Sequence, residues 1–138
     1  MSMENYGQSG YGFCCMTADY DRVRAFIAKH LTGKGQELFR DCEYMEDIEE
    51  ICSHNELFGS RFNVTGILAY VISVKTEQDV QLCGDDSGED WVMLLPSYPW
   101  EVRKLMDRED FKKQAGELAL EFFGEPVRFD YHTTEEWG

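Results

Sequence analysis

The stretch from Phe62 to Thr76, FNVTGILAYVISVKT, carries no charge before Lys75. A segment that is apolar on every side cannot face water along its length, so the fold must wrap around it. The uncharged part, Phe62 to Val74, is thirteen residues long. A membrane-spanning helix needs about 20. The β-branched and aromatic content of the run predicts an interior strand. Tyr11 to Met16 (YGFCCM) is likewise apolar on consecutive positions and predicts a second strand buried on both faces.

Helical periodicity brackets these two runs. Val23, Phe26, Ile27 and Leu31 recur at helical spacing, with Asp19 and Asp21 at the start and Lys29 and His30 at the end, matching the helix dipole. Gly33 and Gly35 stop that helix. A second helix is predicted over residues 36–54, with Leu38, Tyr44, Met45, Ile48, Ile51 and Cys52 in one sector. Phe111, Ala115, Leu118 and Phe122 mark another helix, ended by Gly124 and Pro126. A short helix is expected near Trp100 to Met106, after Pro96 and Pro99. Short strands are expected at Asp79–Cys83 and Asp90–Leu95, joined by the turn 84–89, and an alternating strand at Val127–Tyr131.

With the extra helix and the extra strand counted as insertions, the resulting order points to an α+β domain of ferredoxin-like plan, β-α-β-β-α-β. Its sheet would have four to five mainly antiparallel strands, with helices packed on one face. Residues 1–10, Gly-rich and polar, are expected to be a flexible N-terminus, and residues 11–138 one globular domain. Hydrophobic residues are 43% of the chain, enough for a core without disulfides or metal.

Charge narrows the function. The chain has 27 acidic and 13 basic residues, a net charge of −14, which opposes direct contact with nucleic-acid phosphates or anionic lipid. A basic protein surface is the favoured partner, and membrane association is not expected. Five cysteines, with neither a CxxC pair nor a basic or apolar leader ahead of them, point to reduced thiols and a cytoplasmic location.

Half of the net charge lies in residues 36–56, which hold eight acids and one arginine. On the predicted helix Glu43, Glu46, Asp47 and Glu50 form a carboxylate stripe opposite the apolar sector. Glu43 with Asp47, and Glu46 with Glu50, would then be like-charge i,i+4 pairs that cost about 0.2–0.5 kcal/mol each. The plain reading of the stripe is solubility, and the sharper one is recognition of a basic surface, since a stripe kept at local cost is easier to explain if something else gains from it. Trp100 and Trp137 are candidate aromatic contacts.

Sharper chemistry fails on spacing. Cys52-x-His54 supplies two metal ligands where structural zinc needs four, and no second pair exists. DDSGED at 85–90 lacks the alternate acids of a calcium loop. No phosphate-binding or nucleophile-elbow motif is present, and neither a metal nor a cofactor is expected. Cys14 and Cys15 could act as a strand thiol in a cleft beside the sheet, with a histidine as base, but neighbours on a strand point to opposite faces. The expectation is a non-enzymatic acidic interaction protein. By analogy, carboxylates could stand in for phosphates in an inhibitor of phage or mobile-element type. A binding or catalytic module using Cys14 or Cys15 is the alternative.

Overall fold

The computed structural model describes residues 9–84, 89–95 and 108–134. Their order is β1 (Ser9–Cys14), α1 (Tyr20–His30), α2 (Lys34–Leu38), α3 (Met45–Ser53), a 3-10 turn (Glu56–Phe58), α4 (Thr65–Thr76), β2 (Val80–Cys83), β3 (Trp91–Leu94), α5 (Glu109–Phe123) and β4 (Asp130–Thr133). The expected short helix near Trp100 and most of the turn at 84–89 lie outside the described residues, as do Trp100 and Trp137.

The molecule is α+β. Four strands form one antiparallel sheet in the order β2-β3-β1-β4. Tyr11 pairs with Leu94 on one side and Tyr131 on the other, and Leu82 and Phe13 both pair with Val92. A plain β-α-β-β-α-β order is not seen: α1, α2, α3, the 3-10 turn and α4 all lie between β1 and β2.

The largest departure from expectation is at 62–76. This run is not a strand but the helix α4. Thr65 to Ala69, Val71 and Ile72 are all buried, and in its first two turns Tyr70 alone keeps partial exposure. A helix buried all round shows no apolar stripe, and so its period is hidden in the sequence. Local chemistry selects the helix. Asn63 Oδ1 accepts from the Thr65 N–H at 2.9 Å, and the Gly66 N–H donates to the Asn63 carbonyl at 3.1 Å, which starts the first turn. At the other end the Ser73 hydroxyl reaches the Ala69 carbonyl at 2.9 Å and the Thr76 hydroxyl the Ile72 carbonyl at 2.6 Å. Glu77 then turns the chain with φ 55°. Gly66 lies against Phe58, and a Cβ there would collide with the Phe58 carbonyl. Only glycine lets α4 approach the 3-10 turn this closely.

Alternate strand residues Tyr11, Phe13, Val80, Leu82, Val92 and Leu94 share one core with the buried faces of α1, α3, α4 and α5. The stripes expected for α1 (Val23, Phe26, Ile27, then Leu31) and α5 (Phe111, Ala115, Leu118, Phe122) are buried. Phe26 meets Phe122 edge-on with ring centroids 5.1 Å apart, locking the two helices. His30 Nε2 and Glu121 Oε2, 3.0 Å apart, join them at the periphery, with Lys29 Nζ 3.3 Å from the other oxygen. Gly124, at φ 82°, ends α5 with its N–H on the Leu120 carbonyl.

The final strand is shifted from its expected 127–131 to Asp130–Thr133. Val127 and Phe129 pack against the core before the strand begins, whereas Tyr131 is exposed rather than inward. The opposite sheet face is not bare, because Met93 and Cys83 are buried there. On it Trp91 stacks on His132 at 4.0 Å.

Candidate interaction surface at the acidic edge

The single helix expected over 36–54 is broken into α2 and α3, and α1 supplies the reason. Arg24 Nη1 donates to the Phe39 carbonyl at 2.6 Å and the Tyr20 hydroxyl to the Cys42 carbonyl at 3.2 Å. Phe39 and Cys42 are themselves buried. The break therefore exchanges intrahelical hydrogen bonds for contacts with α1 and burial of Phe39. Two residues assigned to the apolar sector move to the surface as a result: Leu38 is 41% and Tyr44 65% exposed. Ile48 and Cys52 are buried as the helical phase requires.

The shorter helix also changes the energetics of the acidic run. Glu43 lies outside α3, so it forms no helical i,i+4 pair with Asp47. Glu46 and Asp47 occupy the first turn, where the dipole favours acids. Asp47 Oδ2 accepts from the backbone N–H groups of Glu43 and Tyr44, both at 3.0 Å, and so caps the start of α3. One of the two expected like-charge pairs thus disappears, the Glu46–Glu50 pair remains within α3, and Asp47 has a structural task of its own. Glu43, Glu46 and Glu50 are exposed and Asp47 half-buried. None of the four makes an ion pair among the described residues.

The break creates a feature that the sequence did not reveal. Between α2 and α3 lies an open groove of about 500 Å³, lined by Asp41, Asp47 and Glu50, with Leu38, Ile51 and His54 among its other walls. No lysine or arginine lines it. Three carboxylates thus rim a partly apolar floor. At its base the Cys42 thiol is pushed above its ordinary range, first by burial and then by the negative charge of Asp47. Such a groove can take the aliphatic stem of a lysine or arginine against Leu38 and Ile51 while its head meets carboxylates. Asp41 is the residue that sequence reasoning missed, since a continuous helix gives it no special position.

The thiols look different. Cys15 lies just past β1, and burial pushes its thiol far above the ordinary range, with Asp90 adding to the effect. The Thr65 hydroxyl, which is buried without an oxygen or nitrogen partner, lies against that thiol and opposes the shift. Cys14 Sγ faces Glu89 Oε2 at 3.8 Å. Burial also raises Cys52 to about 12 and Cys83 to about 11. A nucleophilic thiol needs a depressed value and an open approach, and burial works against both at Cys15, Cys52 and Cys83. Of the histidines considered as bases, His30 is held by Glu121 and His54 is exposed at the end of α3.

Among the described residues no group of three or more His, Cys, Asp or Glu side chains is arranged to hold a metal ion, and no helix is long and apolar enough to cross a membrane. Comparison of the chain with models of protein families, with curated proteins and with solved structures gives no match.

Proposed function

We propose that this is a non-enzymatic interaction protein whose acidic edge recognises a basic surface on a protein partner. The observation that carries the reading is the groove between α2 and α3, where Asp41, Asp47 and Glu50 converge around an apolar floor with no cation of the chain's own. Glu43 and Glu46, exposed beside it, extend the negative field. In its finer form the basic surface is a groove that otherwise holds nucleic acid, and the carboxylates take the place of phosphates. Convergence of the carboxylates and the concentration of charge support recognition, together with the small cost of the Glu46–Glu50 pair that α3 retains.

For the fold we propose the ferredoxin-like plan with helical insertions. It is supported by β3 lying between β1 and β2 in a fully antiparallel sheet.

The test uses a Glu43→Gln/Glu46→Gln/Glu50→Gln variant, which leaves the Asp47 cap in place. Tagged wild-type and variant proteins are used to capture partners from host cells, and captured proteins are then measured for binding. Recovery of a basic protein by wild type alone supports the reading, and equal recovery by both forms refutes it. Competition by duplex DNA for that partner tests the finer form.

A further inference from the structure

A second groove shares Leu38 with the first. It has a volume of about 280 Å³, and its walls come from the end of α1, from α2, from the 3-10 turn and from α4. Three of its apolar side chains are unusually open for their size: Leu38 at 41%, Leu57 at 59% and Val74 at 60%. The rim carries Lys34 and Lys75, and no carboxylate lines it. Both lysines are exposed, and neither forms an ion pair among the described residues. In a chain with twice as many acids as bases, an acid-free groove bearing two unpaired cations is a local reversal of sign.

The two grooves meet at Leu38, which lines both. Together they make one surface with an apolar middle, a negative lobe (Asp41, Asp47, Glu50) and a positive lobe (Lys34, Lys75). A surface of this kind is complementary to itself after a half-turn about an axis near Leu38. That rotation places the positive lobe of one copy over the negative lobe of the other, twice. It also brings the exposed Leu38 side chains together, with Leu57 and Val74 alongside. Twelve residues line one groove and eight the other, Leu38 being common to both. A standard interface uses about 20–30 residues a side.

We propose that this surface is the interface of a symmetric dimer, so that the basic surface met by the acidic groove is the lysine-bearing groove of a second copy. The proposal rests on the reading of the acidic groove as a recognition surface and names its partner. Net charge opposes it, because two chains of −14 repel at long range. Salt should therefore have a diagnostic effect. Added salt screens distant like charges beyond a Debye length of ~8 Å at physiological strength, while the desolvated pairs at the interface are screened less. Dimerisation should hold or rise from low to physiological salt, whereas capture of a foreign basic protein should fall.

The experiment is sedimentation equilibrium of the full chain over a wide concentration range, with two charge-reversal variants. Wild type should show the mass of two 16.0 kDa chains at high concentration. Lys34→Glu/Lys75→Glu makes both lobes negative, and Asp41→Lys/Glu50→Lys makes the negative lobe mainly positive. Each alone should lose dimerisation by at least about tenfold, one decade in the dissociation constant. Mixed in equal amounts, they should dimerise again, because every lobe then faces its opposite. All five charged residues of the two lobes are on the surface or half-buried, so melting curves should stay close to wild type, and Leu38→Asp gives an independent variant that should also separate the copies. A wild type that is monomeric throughout overturns the dimer and leaves recognition of a foreign basic protein standing. Dimers that survive both reversals overturn the assigned surface. Failure of the glutamate-to-glutamine capture experiment, with the dimer intact and the mixture rescued, instead refutes a foreign partner.

Discussion

Helices α3 and α4 are close in length and opposite in kind. α4 is buried over its first two turns except for the partly exposed Tyr70, and its identity is decided by what it packs against. α3 buries Ile48 and Cys52 and exposes a row of acids, and its identity is decided by its own capping and by its distance from water. The difference teaches where tolerance and function can lie. A change in the first two turns of α4 is read by the core, while a change on the outer face of α3 is read by solvent or by a partner.

The contrast is broken first by the harshest change. Ile72→Asp places an unpaired carboxylate where the side chain is fully buried, and should cost about 4 kcal/mol or more, enough to unfold the domain. A cooperative melt near the wild-type temperature would mean that α4 is not interior. Gly66→Ala is a finer probe of the same helix. Alanine gains about 1 kcal/mol of helix propensity, but its Cβ meets the Phe58 backbone carbonyl, which cannot move cheaply. The clash should win, with a net loss of about 1–3 kcal/mol in chemical denaturation.

Asp47→Ala sharpens the comparison from the side of α3. It removes the acceptor for two backbone N–H groups and should cost about 1 kcal/mol, whereas Glu50→Gln should shift stability by no more than about 0.5 kcal/mol. If the two substitutions have equal effect, the cap is not formed and all four carboxylates are equivalent.

Acid and alkali separate the regions by sign. The buried thiols have folded pKa values raised above the unfolded thiol, Cys52 to about 12 and Cys83 to about 11. Their contribution is present in full below the unfolded value of ~8.5 and is lost as pH rises towards the folded values. Melting temperature should therefore fall from about pH 8.5 upwards, and less steeply in Cys52→Val. Glu121 behaves oppositely. Burial pushes its carboxyl up, but His30 and Lys29 together outweigh that and hold it below the ordinary value. Its contribution is present above the unfolded value of ~4.3 and is lost as pH falls through the folded one, so Glu121→Gln should flatten the acid limb of the stability curve.

How legible these regions were follows from the same physics. α1 and α5 were readable because each has one buried stripe and one wet face, so Val23, Phe26, Phe111 and Phe122 announce the 3.6-residue period. α4 was not, because a segment apolar on all sides carries no period. Length was the better guide, since fifteen residues from Phe62 to Thr76 exceed the usual strand of ~5–6. The break after Leu38 had one local signal, Asp47 as the cap of a helix starting at Met45. It depends on Arg24 and Tyr20, which reach the Phe39 and Cys42 carbonyls from α1. Exposure of Glu43, Glu46 and Glu50 was readable from composition and phase. The groove was not, because Asp41 and Leu38 join it only once the helix is broken.

The most direct test of the central claim compares binding by wild type and the Glu43→Gln/Glu46→Gln/Glu50→Gln variant to a captured basic partner, at low and at physiological salt. The account predicts a variant that melts with wild type and associates more slowly. It also predicts a wild-type association rate that falls with salt, because exposed carboxylates steer the encounter. Equal rates for the two forms at both salt concentrations would contradict it, and the exposed glutamates of the acidic edge would then have no part in meeting a foreign partner.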